Sequence, residues 1–224
     1  MLSLNSKKLS IVENVLFALT FGLVLYANYL VFLVVPNEKV MGPVQRIFYF
    51  HVGAAMATYF AIGVILLSSL AYLATRKKFM DQLLTSATEV AFAFCCIVMI
   101  TGMIWGNAAW NTPFRWEPRL VSFLVLLLIL LGMLLLRAFG DKEKVAIHSA
   151  VLGIISAINV PIVVFSIKLL PKATQIHPQV VQDRGLRDPS FVYTMLIGMI
   201  AMICFQFLLL WVRTKIETVK QQDR

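Results

Sequence analysis

The sequence predicts an all-α integral membrane protein, a bundle of six transmembrane helices, and three observations lead there. Sixty per cent of the 224 residues are hydrophobic and only 14% are charged, whereas a soluble domain is nearer half and a quarter. Mean hydropathy is +0.84. Six apolar runs, at 15–35, 48–74, 88–105, 120–137, 145–167 and 191–212, follow one another along the chain, each near the roughly 20 residues that a spanning helix needs. So little polar surface cannot cover a globule in water, and lipid becomes the solvent.

The formal charge of +9 would suggest nucleic acid in a soluble protein. Here the charges sit in short clusters between apolar runs, as membrane-protein loops do, so the expected partner is the lipid bilayer and no nucleic acid. No G-x-x-x-x-G-K-[ST] is present, which excludes nucleotide hydrolysis through a P-loop. Cys95, Cys96 and Cys204 form no C-x-x-C pair, which argues against thiol–disulfide exchange and against a c-type cytochrome.

Taken in order, the first run follows Lys7 and Lys8 but is too long for a signal-peptide core, and it reads as a retained helix. The second opens with Arg46 and His51 and carries Gly53, Ala57 and Ala61 at four-residue spacing, which permits close approach of a helix or a ligand. Glu89 begins the third, where a carboxylate suits the helix dipole. Pro118 suits the first turn of the fourth and forces Glu117 to be extended. In the fifth, Pro161 removes one backbone donor, and Asn159 is placed to bond the freed carbonyl or a neighbouring helix. The longest polar stretch, 168–190, is too short for a second domain, so residues 1–224 form one transmembrane domain.

Twelve of the 20 lysines and arginines fall on the side that also holds the N- and C-termini (Lys7, Lys8, Arg76, Lys77, Lys78, Arg137, Lys142, Lys144, Arg213, Lys215, Lys220 and Arg224). That bias predicts an N-in, C-in topology. The outward side then holds 36–47, 106–119 and 168–190. Three of the four tryptophans, Trp105, Trp110 and Trp116, lie in or beside the second of these. An interfacial aromatic belt is one reading. The other is a stiff shelf, with Thr112 capping a short turn begun by Pro113, suited to a large flat apolar ligand. Arg115 and Arg119 border it. Arg119 is placed either to grip a carboxylate with two parallel hydrogen bonds or to pair with Glu117.

Two of the three histidines, His51 and His177, fall on the same side, and an ionisable residue such as His51 within a span is a functional candidate. His148, beside Lys144, reads as interfacial. Imidazole is a preferred axial ligand of heme iron. Two outward histidines could grip iron from opposite sides, with tryptophans against the macrocycle and arginines on its propionates.

The pattern W-G-x-x-x-W-x-T-x-x-x-W-x-P-R-L-x-S, from Trp105 to Ser122, resembles the tryptophan-rich WWD signature of the heme-handling proteins of cytochrome c assembly. In length and six-helix layout the chain is most similar to the CcmC (heme exporter protein C) branch, and the segments 46–52 and 159–166 agree. The resemblance implies binding of non-covalent heme b, with His51 and His177 as metal ligands and Trp105, Trp110, Phe114, Trp116, Arg119 and Arg46 as the surrounding site. It implies presentation of heme on the outer side of the cell inner membrane, with the heme chaperone CcmE, the ABC-transporter subunits CcmA and CcmB and the small membrane protein CcmD as partners. Pro113 and Phe114 stand where the family usually has a tryptophan pair, Glu117 stands for the signature aspartate, and Leu169 and Leu170 replace an aromatic pair. No covalent chemistry is required of the side chains, so the expectation is a binding protein and not an enzyme. The alternatives are a heme lyase of the cytochrome c synthetase type, which is larger, and a cofactor-free permease subunit.

Overall fold

The computed structural model describes residues 6–39, 41–141, 143–169 and 188–222. Among these residues the secondary structure is helical apart from one isolated bridge between Glu38 and Gly42. The elements are α1 (Ser6–Tyr29), continuing as a π-helical turn (Leu30–Val34), a 3-10 turn (Pro43–Arg46), α2 (Ile47–Thr75), α3 (Lys78–Trp110), α4 (Pro118–Phe139), α5 (Val145–Leu169) and α6 (Pro189–Gln222). All six α-helices are long and apolar enough to cross a membrane. The six-helix expectation is met.

Three helices run well past their apolar runs. α3 starts at Lys78 rather than near 88, because its first turns form a polar seam that closes on itself. Thr85, Ser86 and Thr88 are buried and donate to the carbonyls of Asp81, Gln82 and Leu84 at 2.8–2.9 Å, and Asp81 accepts from Arg137 of α4 at 2.6 Å. Glu89 therefore lies well inside α3, beyond reach of the terminal dipole, which fades after the first turn. It is held instead by the Arg213 guanidinium of α6, with Nη2 donating to Oε1 at 2.6 Å and Nε to Oε2. α6 extends to Gln222 with that pair, and Glu13 of α1 accepts from both Trp211 and Lys215. α1 likewise begins at Ser6, ahead of its apolar run.

α2 is the hub, packed against α3, α5 and α6. Small residues set the approach. A Cβ built on Gly53 would lie 3.1 Å from the Gly198 carbonyl oxygen and 2.9 Å from Met202 Cγ of α6, so the stripe that includes Ala57 and Ala61 serves helix packing. Gly153 of α5 meets α2 more closely, its built Cβ lying 2.4 Å from Ser69 Oγ. α2 ends at Arg76 in the left-handed region (φ 56), whose N–H reaches Tyr72 O at 2.8 Å while the guanidinium stacks over the Tyr72 ring. Lys77 then turns the chain straight into α3. Asn159 takes the second of its two expected roles, its Nδ2 donating to the Ser122 carbonyl of α4 at 2.9 Å.

One end of the bundle thus carries the basic turn 76–78 and both terminal helix ends. The other carries the loop between α3 and α4 that holds the tryptophans.

Candidate functional site

The end of α3 and the loop after it are built to fold back. Asn111 caps α3 in the left-handed region (φ 54), its N–H donating to Asn107 O at 3.0 Å, a conformation that asparagine tolerates. The chain then returns across Gly106, where a Cβ would lie 3.2 Å from Thr112 O and 3.5 Å from Pro113 O. Thr112 caps no helical turn. Its hydroxyl donates to Phe114 O at 3.1 Å, and residues 111–117 are irregular, because the tight return over Gly106 leaves no room for a turn of helix. Glu117 is extended (φ −96, ψ 152) and buried, and Pro118 opens α4 as expected.

This return closes an open, largely apolar cleft among α2, α3, the loop and the start of α4. His51 lines it, as do Trp105, Trp110, Phe114 and Arg119. Trp105 and Trp110 meet edge to face with centroids 5.0 Å apart, and Phe114 meets Trp116 in the same way at 5.4 Å. Such T-shaped pairs fix ring orientation. Trp116 itself is 82% exposed and lies outside the cleft lining, touching the site only through Phe114. Tyr59, Phe123 and three methionines, Met56, Met99 and Met103, complete an apolar, deformable wall.

Arg46 is not part of the lining either. It precedes His51 by five residues, roughly 140° around a helix of 3.6 residues per turn, and lies beside Tyr49, in the second core cluster with Val31, Val35 and Met195. Arg115 is exposed. Arg119 is half-buried, beside the Tyr59 hydroxyl and within electrostatic reach of His51. None of the ion pairs among the described residues includes it. Its helix start is steadied by Ser122, whose hydroxyl donates to Arg119 O and whose carbonyl takes the Asn159 bond. His177 lies outside the described residues. His148 is exposed at the opposite, basic end.

His51 is half-buried, with Nδ1 3.1 Å from Thr101 Oγ1. Its ring lies against Gly102, where a Cβ would be 3.1 Å from Cε1. Thr101, Gly102 and Tyr59 thus belong to the site although the sequence did not single them out. Thr101 and Gly102 sit one helical turn before Trp105 and Gly106, and that spacing was the available signal.

The family model described as CcmC, heme exporter protein C, matches residues 5–224. The chain belongs to this family. Among curated proteins it is 31% identical over 188 residues to heme exporter protein C of Bradyrhizobium diazoefficiens, covering 84% of this chain and 70% of that one. It is 28% identical over 159 residues to heme exporter protein C of Escherichia coli K12, covering 69% and 64%. It is also 30% identical over 141 residues to a putative cytochrome c biosynthesis ccmC-like mitochondrial protein of Marchantia polymorpha, covering 63% and 60%. The chain thus spans less than two thirds of the last two relatives. The cleft of this heme exporter C family member is where the tryptophan pattern and the outward-predicted histidine of α2 meet.

Proposed function

We propose that the protein binds heme b non-covalently in the cleft at the tryptophan end of the bundle and hands it on for c-type cytochrome assembly, as a carrier and not as an enzyme. One observation carries the reading: His51 and Arg119, an arginine that none of the ion pairs among the described residues includes, share one apolar cleft walled by orthogonal aromatic rings. Among the described residues no group of three His, Cys, Asp or Glu could hold a bare ion. One imidazole suffices for iron already held by a macrocycle, which needs only axial ligands from the protein. The wall suits a flat apolar ring, and Arg119 suits a propionate at its edge.

His177 is the second axial ligand in this reading, and the family membership supports it. The tryptophan end faces outward across the cell inner membrane, and the recipient is the chaperone CcmE, with CcmA, CcmB and CcmD as the surrounding export complex.

The test is optical. Detergent-purified protein loaded with heme gives a low-spin Soret spectrum. His51→Ala and His177→Ala each shift it to a five-coordinate or water-ligated form that added imidazole reverses, and His148→Ala leaves it unchanged. A wild-type protein without a Soret band returns the cleft to a cofactor-free permease. A low-spin spectrum retained in His177→Ala removes that residue from the ligand set.

A further inference from the structure

His51 has two ring nitrogens, and only one that is unprotonated can bind iron. The side chain that decides between them is a threonine of the neighbouring helix. Thr101 Oγ1 lies 2.6 Å from the carbonyl of Ile97, four residues back on α3, and 3.2 Å from that of Val98. A hydroxyl has one proton, and at these distances it is spent on its own helix, the usual habit of threonine inside a helix. Oγ1 therefore meets His51 with a lone pair. The atom that faces it is Nδ1 at 3.1 Å, and the Val98 carbonyl of the same turn is a second acceptor within reach of the ring, so this arrangement favours the proton on Nδ1 and the lone pair on Nε2. Gly102, next along α3, supplies the second constraint, because a Cβ there would stand 3.1 Å from Cε1 and the ring would have to shift by a few tenths of an ångström to admit it.

We propose that Thr101 is a positioning residue for axial ligation: it accepts the Nδ1 proton of His51 and thereby keeps Nε2 free to bind iron, with Gly102 seating the ring. The inference rests on the heme-binding reading above and adds a tautomer to it. Metal-ligating histidines commonly donate their second ring N–H to a fixed acceptor, which orients the ring and raises its basicity, and loss of such an acceptor costs roughly 10–100-fold in affinity. A more basic imidazole favours ferric over ferrous iron, so this bond also holds the reduction potential down.

The experiment titrates ferric heme into purified full-length protein and measures the midpoint potential of the loaded form. Thr101→Val keeps the shape and removes the acceptor; ferric heme affinity falls roughly 10–100-fold and the midpoint potential rises. Thr101→Ser, which restores a hydroxyl, returns both toward wild type. If the valine variant does not fold, Thr101→Cys, with sulfur as a weaker acceptor, shows the same two shifts in smaller measure. Wild-type affinity and potential in the acceptor variants, with heme binding lost in His51→Ala, overturn the role of Thr101 and leave the site standing. An unchanged spectrum in His51→Ala overturns both, and the two failures are told apart by that variant alone. A fall in affinity with no change in potential makes Thr101 a packing residue and overturns the tautomer role.

Discussion

Arg119 is held in place from behind and open in front. Ser122 and Asn159 fix the first turn of α4, while the guanidinium stands over the cleft beside Tyr59. Arg119→Gln keeps part of the length and removes the charge. A charge-assisted hydrogen bond in a partly dry site contributes roughly 1.5–3 kcal/mol, so heme affinity drops about 10- to 150-fold at 1.4 kcal/mol per decade. Equilibrium titration followed at the Soret band checks this, and an unchanged affinity removes Arg119 from the ligand contacts. Residues of this kind were legible because their chemistry is unusual for their setting: a histidine and an arginine bordering apolar runs stand out in a bare sequence. Thr101 and Gly102 were not legible. A hydroxyl that bonds to its own helix and a glycine within an apolar run look like ordinary helix residues until the ring that rests on them is seen.

At the scale of helices, hydropathy located all six spans and misjudged their ends. The first turns of α3 are polar, and a hydropathy window discards them. They pack inside the bundle nonetheless, because the buried threonine and serine hydroxyls are satisfied by the carbonyl four residues back and Asp81 finds Arg137 on the next helix. Such pairing depends on which helices become neighbours, information that a linear pattern does not hold. The close contact of α5 with α2 is similar. Gly153 has a methyl-sized space already filled by Ser69 Oγ and Ile65 Cγ2, 2.4 and 2.9 Å from where its Cβ would stand. Gly153→Ala should cost about 1–3 kcal/mol by overpacking, measured as a lowered unfolding midpoint in detergent. Ser69→Ala in the same chain should recover much of that loss, since the Ser69 hydroxyl is buried and makes no hydrogen bond. Strict additivity of the two changes would show that the helices do not meet there.

For the whole molecule, the bias of lysine and arginine predicts that the tryptophan end faces outward and the end bearing residues 76–78 inward. In a chain freed of Cys95, Cys96 and Cys204, a cysteine at Ala108 should react with a membrane-impermeant thiol reagent in intact cells, and one at Glu143 should not; both positions are exposed. The reverse pattern would turn the cleft to the cytoplasm and end the export reading. Asp81 with Arg137, Glu89 and Glu217 with Arg213, and Glu13 with Lys215 all join helices at the basic end or brace α6 there. α3, at 33 residues, is a lever about 50 Å long at 1.5 Å per residue. A tilt of about 3° over that length would displace the far end by about 2.5 Å, so a small change in packing at the basic end is magnified at the tryptophan end.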